Sequence, residues 1–275
     1  MAYSSILVQL NLDSSPLPLL GFARDLARRF KASLIGLCAA ECQVLIPAGD
    51  ETAAASVELM QRDSVEIQGR LREVERIFSE FAKGDFEMSW RGYIGNPTRL
   101  AIEHARAADL IITCEPDSGK PDPLRTVDTG NLILTAGRPV LLACGGCLHI
   151  QARSVLIAWK DTREARRAVS DAMPFLMMAR EVIVATVEKE DLPSARESAD
   201  DVVRFLTKHG VNARSDVIVE GKNDPSFDLV EMAFEVEADL IVSGGYGHSR
   251  LREWAFGGVT KSLIETKSIH RLFSY

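Results

Sequence analysis

Short apolar runs alternate along this chain with segments whose apolar residues recur at helical spacing. In residues 1–148 the runs predict five strands, at 6–10, 33–38, 86–94, 109–112 and 139–142. One helical pattern covers Leu17 to Phe30. A longer one carries its apolar residues on a single face, at Ile67, Leu71, Val74, Phe78 and Phe81. Asn96-Pro97 indicates the N-cap and first turn of a third helix.

Residues 149–275 repeat this order. Apolar runs predict strands at 155–159, 181–185, 217–219, 239–242 and 269–273, with helices at 163–179 and 194–209. Asp224-Pro225 follows Asn96-Pro97 by 128 residues, and Asp239 follows Asp109 by 130. The first strands are 149 residues apart, because the first copy has a longer insertion around residues 41–56. The pattern therefore predicts an internal duplication with its boundary near residues 145–153.

This alternation of strand and helix indicates an α/β protein. Right-handed crossovers would give a mostly parallel sheet covered on both faces, which suits strands that are short and almost wholly apolar. We expect two tandem open parallel-sheet domains of five strands each, at residues 1–148 and 149–275.

Composition narrows the choice of partners. The chain is 46% apolar and 26% charged, with a formal net charge of −7 and no Lys/Arg-rich run, which argues against nucleic acid as a partner. No apolar stretch approaches the roughly 18–20 residues of a membrane helix, and the first residues lack the basic region of a signal peptide. We therefore expect a cytoplasmic location and no membrane partner.

Two glycine clusters in the second half carry the candidate chemistry. The strand at 239–242 leads into Ser243-Gly244-Gly245-Tyr246-Gly247-His248, and Gly257-Gly258-Val259-Thr260 opens the last predicted helix. Ligands of open α/β sheets bind beyond the carboxyl ends of strands, where amide groups and a helix N-terminus can hold an anion. Such glycines can also serve only to make tight turns, but their position on both sides of one strand–loop–helix junction favours a phosphate site.

This region resembles the universal stress protein family, whose nucleotide signature is G-x-x-G, nine residues, then G-[S/T]. Gly244, Gly247 and Gly257 match it, with nine residues from His248 to Phe256 as the spacer. The segments AWKDTREARRAV and DLIVSGGYGHSRL are similar to the same family. The likeness covers essentially the whole second half, and the first half more loosely through SSPLPLLGFARDLARRFKASL.

The resemblance implies that the second half binds ATP or a related adenine nucleotide, at one site per chain, with Mg²⁺ as a possible companion. The residues expected along the base are Ala158, Trp159, Lys160 and Val187. Those expected to hold ribose and phosphates are Gly244, Gly247, His248, Gly257, Gly258, Val259 and Thr260. The chain departs from the family at Lys160, where an acidic or amide residue is usual, and at Gly258, where Ser or Thr is usual. Thr260 could supply the missing hydroxyl.

The first copy lacks this signature. Its loop at 114–123 is acidic and proline-rich, and its only echo of the glycine loop is Asp128-Thr129-Gly130-Asn131. We therefore expect the first domain to be mainly structural. In the family the fifth strands often pair across a dimer axis, which a tandem chain can satisfy internally, with 139–143 against 269–273. Polar residues in 267–275 would weaken that pairing, and a homodimer is also possible.

Three functions stay open at this stage. No nucleophile–base or paired-carboxylate pattern assigns a catalytic residue, so any ATP hydrolysis would be slow. The first function is a stress-response regulatory protein that binds the nucleotide, and the second is a nucleotide-free scaffold acting through protein contacts. The third is a thiol or metal sensor at Cys144-Gly-Gly-Cys147, in the predicted linker. The glycines favour the first function, and Lys160 with Gly258 favours the second.

Overall fold

A computed structural model of the chain describes residues 2–43, 50–81, 86–115, 122–145, 149–221, 224–246 and 258–275, with side chains from residue 56 in the second range. These ranges contain strands β1 (Ser5–Leu10), β2 (Ser33–Ala40), β3 (Met88–Ile94), β4 (Leu110–Cys114), β5 (Val140–Ala143), β6 (Ser154–Ala158), β7 (Glu181–Glu188), β8 (Ala213–Val219), β9 (Leu240–Gly244) and β10 (His270–Ser274). The helices are α1 (Leu17–Phe30), α2 (Asp50–Phe81), α3 (Pro97–His104), α4 (Thr129–Thr135), α5 (Arg163–Leu176), α6 (Leu192–Lys208), α7 (Pro225–Glu235) and α8 (Gly258–Glu265), with a 3-10 turn at Ala105–Ala107.

All ten strands join in one sheet, in the order β3-β2-β1-β4-β5-β10-β9-β6-β7-β8. Neighbouring strands are parallel except β5 and β10, which pair antiparallel at the centre with Arg271 opposite Leu142 and Phe273 opposite Val140. The α/β class with two five-stranded parallel units is confirmed. The units share a continuous sheet, because their fifth strands are hydrogen-bonded to each other.

An apolar core lies on each face of this sheet. Helices α1, α2, α5 and α6 cover one face, here the α5 face, and bury Phe22, Phe78 and Phe175. Helices α3, α4, α7 and α8 cover the other, the α7 face, and bury Leu132, Leu229 and Leu263. Each such side chain contributes about 1.5–3 kcal/mol by leaving water, so burial on both faces explains the nearly continuous apolar strands.

The predicted caps are confirmed. Asn96 Oδ1 accepts a hydrogen bond from the N–H of Arg99 at 3.0 Å, and Asp224 Oδ1 accepts one from the N–H of Ser226 at 2.8 Å. Each side chain thereby satisfies an amide in the first turn of its helix, α3 or α7, that has no partner within the helix.

Three predicted boundaries are wrong, and two of them lie in polar or exposed segments. Strand β8 begins at Ala213 instead of residue 217, because this edge strand pairs only with β7 and carries polar residues such as Arg214. Helix α2 begins at Asp50, inside the segment predicted as an insertion, and its residues 56–66, which include the exposed Val57 and Val65, bury no side chain. Helix α5 ends at Leu176 instead of residue 179, two residues after Pro174.

The polar residues of β10 lie inside the molecule. Arg271 is 1% exposed, and its guanidinium donates to the carbonyl oxygens of Ile269 (2.6 Å) and Ile264 (3.1 Å), the latter in the last turn of α8. Burial lowers the pKa of Arg271 to about 10, so it stays charged at neutral pH. His270 stacks on Phe22, and its Nδ1 accepts a hydrogen bond from the N–H of Cys144 at 3.0 Å.

Candidate functional site

The candidate site lies at the carboxyl end of β6, where the order of the strands in the second half of the sheet reverses. Strand β6 is flanked by β7 and β9, and Ala158 at its carboxyl end stands opposite Ala185 on one side and Ser243 on the other. Such a switch point leaves a crevice beyond the strand ends, because the connections depart to opposite sides.

Gly244 at the end of β9 is required by the close approach of α5. A Cβ atom there would lie 2.6 Å from the backbone N of Ala165 and 2.8 Å from the carbonyl carbon of Glu164. Thr162 caps the same helix by accepting a hydrogen bond from the N–H of Ala165 at 3.2 Å. The first glycine of the predicted loop therefore brings the N-terminus of α5 against the strand end.

Thr260 joins the two described ends of the glycine loop. Its side chain is buried in the first turn of α8, and its Oγ1 accepts a hydrogen bond from the N–H of Tyr246 at 3.2 Å. The hydroxyl proton can still be donated to a ligand, since the bond to Tyr246 uses only a lone pair of the oxygen. Val259 beside it packs against the core of the α7 face.

An acidic side chain faces the start of α8. Asp224 Oδ2 lies 3.2 Å from the point where a Cβ at Gly258 would stand. The carboxylate thus lies near the place of the family's Ser or Thr side chain, at a helix N-terminus, where negative charge is favourable. It would repel an unshielded phosphate at this end, whereas Mg²⁺ bound to the phosphate would offset the repulsion.

The residues predicted for the base fall on different sides of the sheet. Ala158 and Val187 both belong to the core of the α7 face, whereas Trp159 packs in the core of the α5 face. The Nε1–H of Trp159 donates to Ser198 Oγ at 3.0 Å. Trp159 also lines a cleft of about 540 Å³ between α5 and α6. Lys160 is exposed, and its charge contributes, after backbone N–H groups of Glu190 and Lys189, to lowering the pKa of Glu188.

The structure therefore places Ala158 and Val187 in the same core, Gly258, Val259 and Thr260 in the first turn of α8, and Gly244 against the N-terminus of α5. It places Trp159 in the core of the opposite face from Ala158 and Val187. Gly247, His248 and Gly257 lie outside the described residues.

Glu164 is a residue of this region that sequence reasoning missed. Its backbone touches Gly244, its side chain is almost fully buried, and Arg163 Nε donates to its Oε1 at 2.5 Å. Burial alone would raise the pKa of Glu164, but hydrogen bonds led by that from Arg163 lower it below its ordinary value. Its place in the first turn after the cap Thr162 was the available signal.

In the first half, polar side chains at the corresponding switch point bind each other. Gln9 and Thr113 are buried near the ends of β1 and β4, where Thr113 Oγ1 donates to Gln9 Oε1 at 2.7 Å. The segment 122–128 is tied to the residue after β2, since the N–H of Glu41 donates to the carbonyl oxygen of Leu124 at 2.7 Å. Arg125 also pairs with Asp63 at 2.5 Å.

Cys144, which directly follows β5 in the segment between the two halves, is buried. It is 8% exposed at the end of β5, and its thiol donates to the carbonyl oxygen of Lys267 at 3.0 Å. Cys147 lies outside the described residues. In the part of the chain that the structure describes, no three His, Cys, Asp or Glu side chains are grouped to hold a metal ion, and no helix is long and apolar enough to cross a membrane.

Comparison with known proteins places this geometry. No protein-family model matches the chain, and no curated protein matches it significantly. A universal stress protein from Archaeoglobus fulgidus DSM 4304 has a similar structure, with 14% identity, a TM-score of 0.71, and coverage of 98% of this chain and 95% of that one.

Two further solved structures are similar over nearly the whole chain. A protein from Pseudomonas aeruginosa UCBPP-PA14, provisionally named a universal stress protein, has 17% identity, a TM-score of 0.62 and coverage of 99% and 93%. The cytoplasmic domain of a prokaryotic cation chloride cotransporter has 14% identity, a TM-score of 0.51 and coverage of 98% and 94%. The chain therefore has the fold of the tandem universal stress proteins.

Proposed function

We propose that this chain is a cytoplasmic stress-response protein of the universal stress protein type, regulatory instead of catalytic. It binds ATP or a related adenine nucleotide at one site in its second domain, residues 149–275, with no or only slow hydrolysis. The observation that carries the proposal is the packing of α5 on Gly244 at the switch point, two residues before the Tyr246 N–H that donates to Thr260 of α8.

In this proposal Ala158, Val187 and Lys160 lie along the base, and the two glycine clusters hold ribose and phosphates. Thr260 offers its hydroxyl proton in place of the Ser or Thr missing at Gly258. Because Asp224 stands next to Gly258, the nucleotide binds more tightly as its Mg²⁺ complex than alone. Trp159, on the other face, supports the site from behind instead of touching the base.

The test begins with mass spectrometry of small molecules that co-purify with the protein. Calorimetric titration with ATP, with and without Mg²⁺, then compares wild type with Gly247→Val, which would obstruct the loop, and Gly69→Ala as a control far from it. One ATP per chain, lost only in Gly247→Val, is expected. No heat at millimolar ATP, together with a ligand-free protein, would reject the proposal.

The second candidate is a nucleotide-free scaffold acting through protein contacts. Phe227 and Phe234 on α7 favour it, because both rings are about half exposed, at 56% and 54%, and lie two turns apart. If wild type binds a protein partner without ATP and the double variant Phe227→Ser/Phe234→Ser does not, the scaffold is favoured.

A sensor at Cys144 and Cys147 has less support. The Cys144 thiol is buried and already donates a hydrogen bond, whereas reactive thiols are partly exposed and lie in electropositive surroundings.

A further inference from the structure

Tyr246 sits in the glycine loop with an unusual backbone. Its φ is +50°, a left-handed conformation that bulky side chains rarely adopt, and its side chain is only 5% exposed. Such a conformation persists only where the surroundings hold it. Its N–H is held from the second half by Thr260 Oγ1, at 3.2 Å.

The side chain of Tyr246 is held from the first half. A Cβ at Gly130 in α4 would lie 2.5 Å from the Tyr246 hydroxyl oxygen, so the hydroxyl occupies space that only glycine leaves open. The neighbouring Gly245 is equally close, since its Cβ would lie 2.5 Å from Cγ2 of Ile133, also in α4. Two successive loop residues therefore rest on one helix of the other half.

We infer that the first half positions the start of the glycine loop, residues 244–246, with Tyr246 as the positioning residue and Gly130 as the residue that leaves room for its hydroxyl. The first copy lacks a glycine signature of its own. Its Asp128-Thr129-Gly130 segment, at the start of α4, instead contacts the glycine loop of the second half. Its effect on nucleotide binding rests on the proposed function, whereas its effect on the loop backbone does not.

The geometry specifies a double-mutant test. In Gly130→Ala the new methyl group collides with the Tyr246 hydroxyl and displaces Tyr246. In Gly130→Ala/Tyr246→Phe that oxygen is gone, and the nearest ring atom, Cζ, is 3.5 Å from the methyl group, an ordinary contact. The double variant should therefore behave more like wild type than Gly130→Ala does, an interaction that independent sites would not show.

Hydrogen exchange of the Tyr246 amide in the ligand-free protein is the first readout. We expect about tenfold faster exchange in Gly130→Ala, recovery in the double variant, and no change in Gly69→Ala. Amides in β7 serve as an internal control for global unfolding. Unchanged exchange in Gly130→Ala, or no recovery in the double variant, would overturn the inference.

Affinities for ATP and adenosine give the second readout. A displaced Tyr246 should weaken ATP binding by about tenfold and adenosine binding less, because adenosine lacks the phosphates that the loop is proposed to hold in addition to the ribose. Equal losses for both ligands would indicate general damage and contradict the positioning role. If wild type binds neither ligand, the proposed function fails, while the exchange result still decides the inference.

Discussion

Gly244→Ala tests the packing on which the candidate site depends. The backbone φ of Gly244 lies outside the left-handed region, so alanine meets no conformational penalty and the effect is steric. The added Cβ would lie 2.6 Å, 2.8 Å and 3.0 Å from three backbone atoms of Glu164 and Ala165. Because these are backbone atoms in the first turn of α5, the helix itself must move.

The expected cost follows from this collision. Overpacking a tight interior costs about 1–3 kcal/mol, and the change from glycine to alanine returns about 0.5–1 kcal/mol by restricting the unfolded chain. From the middle of each range, we expect Gly244→Ala to lower the free energy of unfolding by about 1 kcal/mol.

Urea unfolding followed by circular dichroism measures this difference, provided that the m-value is unchanged. The matched control is Gly69→Ala in α2, where a Cβ meets no atom within 4 Å of its ideal position. That control should raise stability by about 0.5–1 kcal/mol, since alanine is the better helix former. If Gly244→Ala is as stable as wild type while the control behaves as expected, the close packing of α5 on β9 is wrong.

Three other predictions follow from single side chains. Burial, with the nearby charge of Arg271, lowers the pKa of His270 from 6.5 to about 4, so the unfolded chain binds the proton first as pH falls. Stability contributed by neutral His270 should therefore be lost below about pH 6.5, by about 2 kcal/mol between pH 7 and pH 5. Urea unfolding at both pH values measures this loss, and His270→Gln should lose less stability than wild type. Asp224→Asn keeps the α7 cap but removes the charge beside Gly258. Calorimetry should therefore show an ATP affinity without Mg²⁺ that is roughly threefold higher and an unchanged adenosine affinity. A lower ATP affinity would contradict the assigned repulsion. Thr260→Val leaves the N–H of Tyr246 without its acceptor and should lower stability by about 1 kcal/mol in thermal unfolding, whereas the exposed control Thr207→Val should not.

Much of the fold could be predicted from the sequence because apolar periodicity and capping residues are local signals. The buried strands and the caps Asn96 and Asp224 produce such signals, and the comparisons confirm the tandem fold they indicate. The start of β8 could not be predicted, since an edge strand needs no apolar run, and residues 56–66 of α2 bury no side chain.

The candidate site was less predictable because it depends on contacts between distant segments. The glycine signature located the loop, but sequence alone could not show that Gly244 accommodates α5, or that Asp224 reaches Gly258 from another connection. The side of the sheet on which Trp159 lies depends on strand alternation at the end of β6, which a resemblance in motifs does not specify. The contact between Tyr246 and Gly130 joins residues more than a hundred positions apart.

Photolabelling with an azido analogue of ATP, followed by peptide mapping, tests the central claim most directly. The account predicts saturable labelling of peptides from the second half, near Ala158, Val187 and the 244–260 loop, suppressed by unlabelled ATP and lost in Gly247→Val. Labelling of the first half near Gln9 and Thr113, or labelling that unlabelled ATP does not suppress, would contradict a single nucleotide site in the second domain.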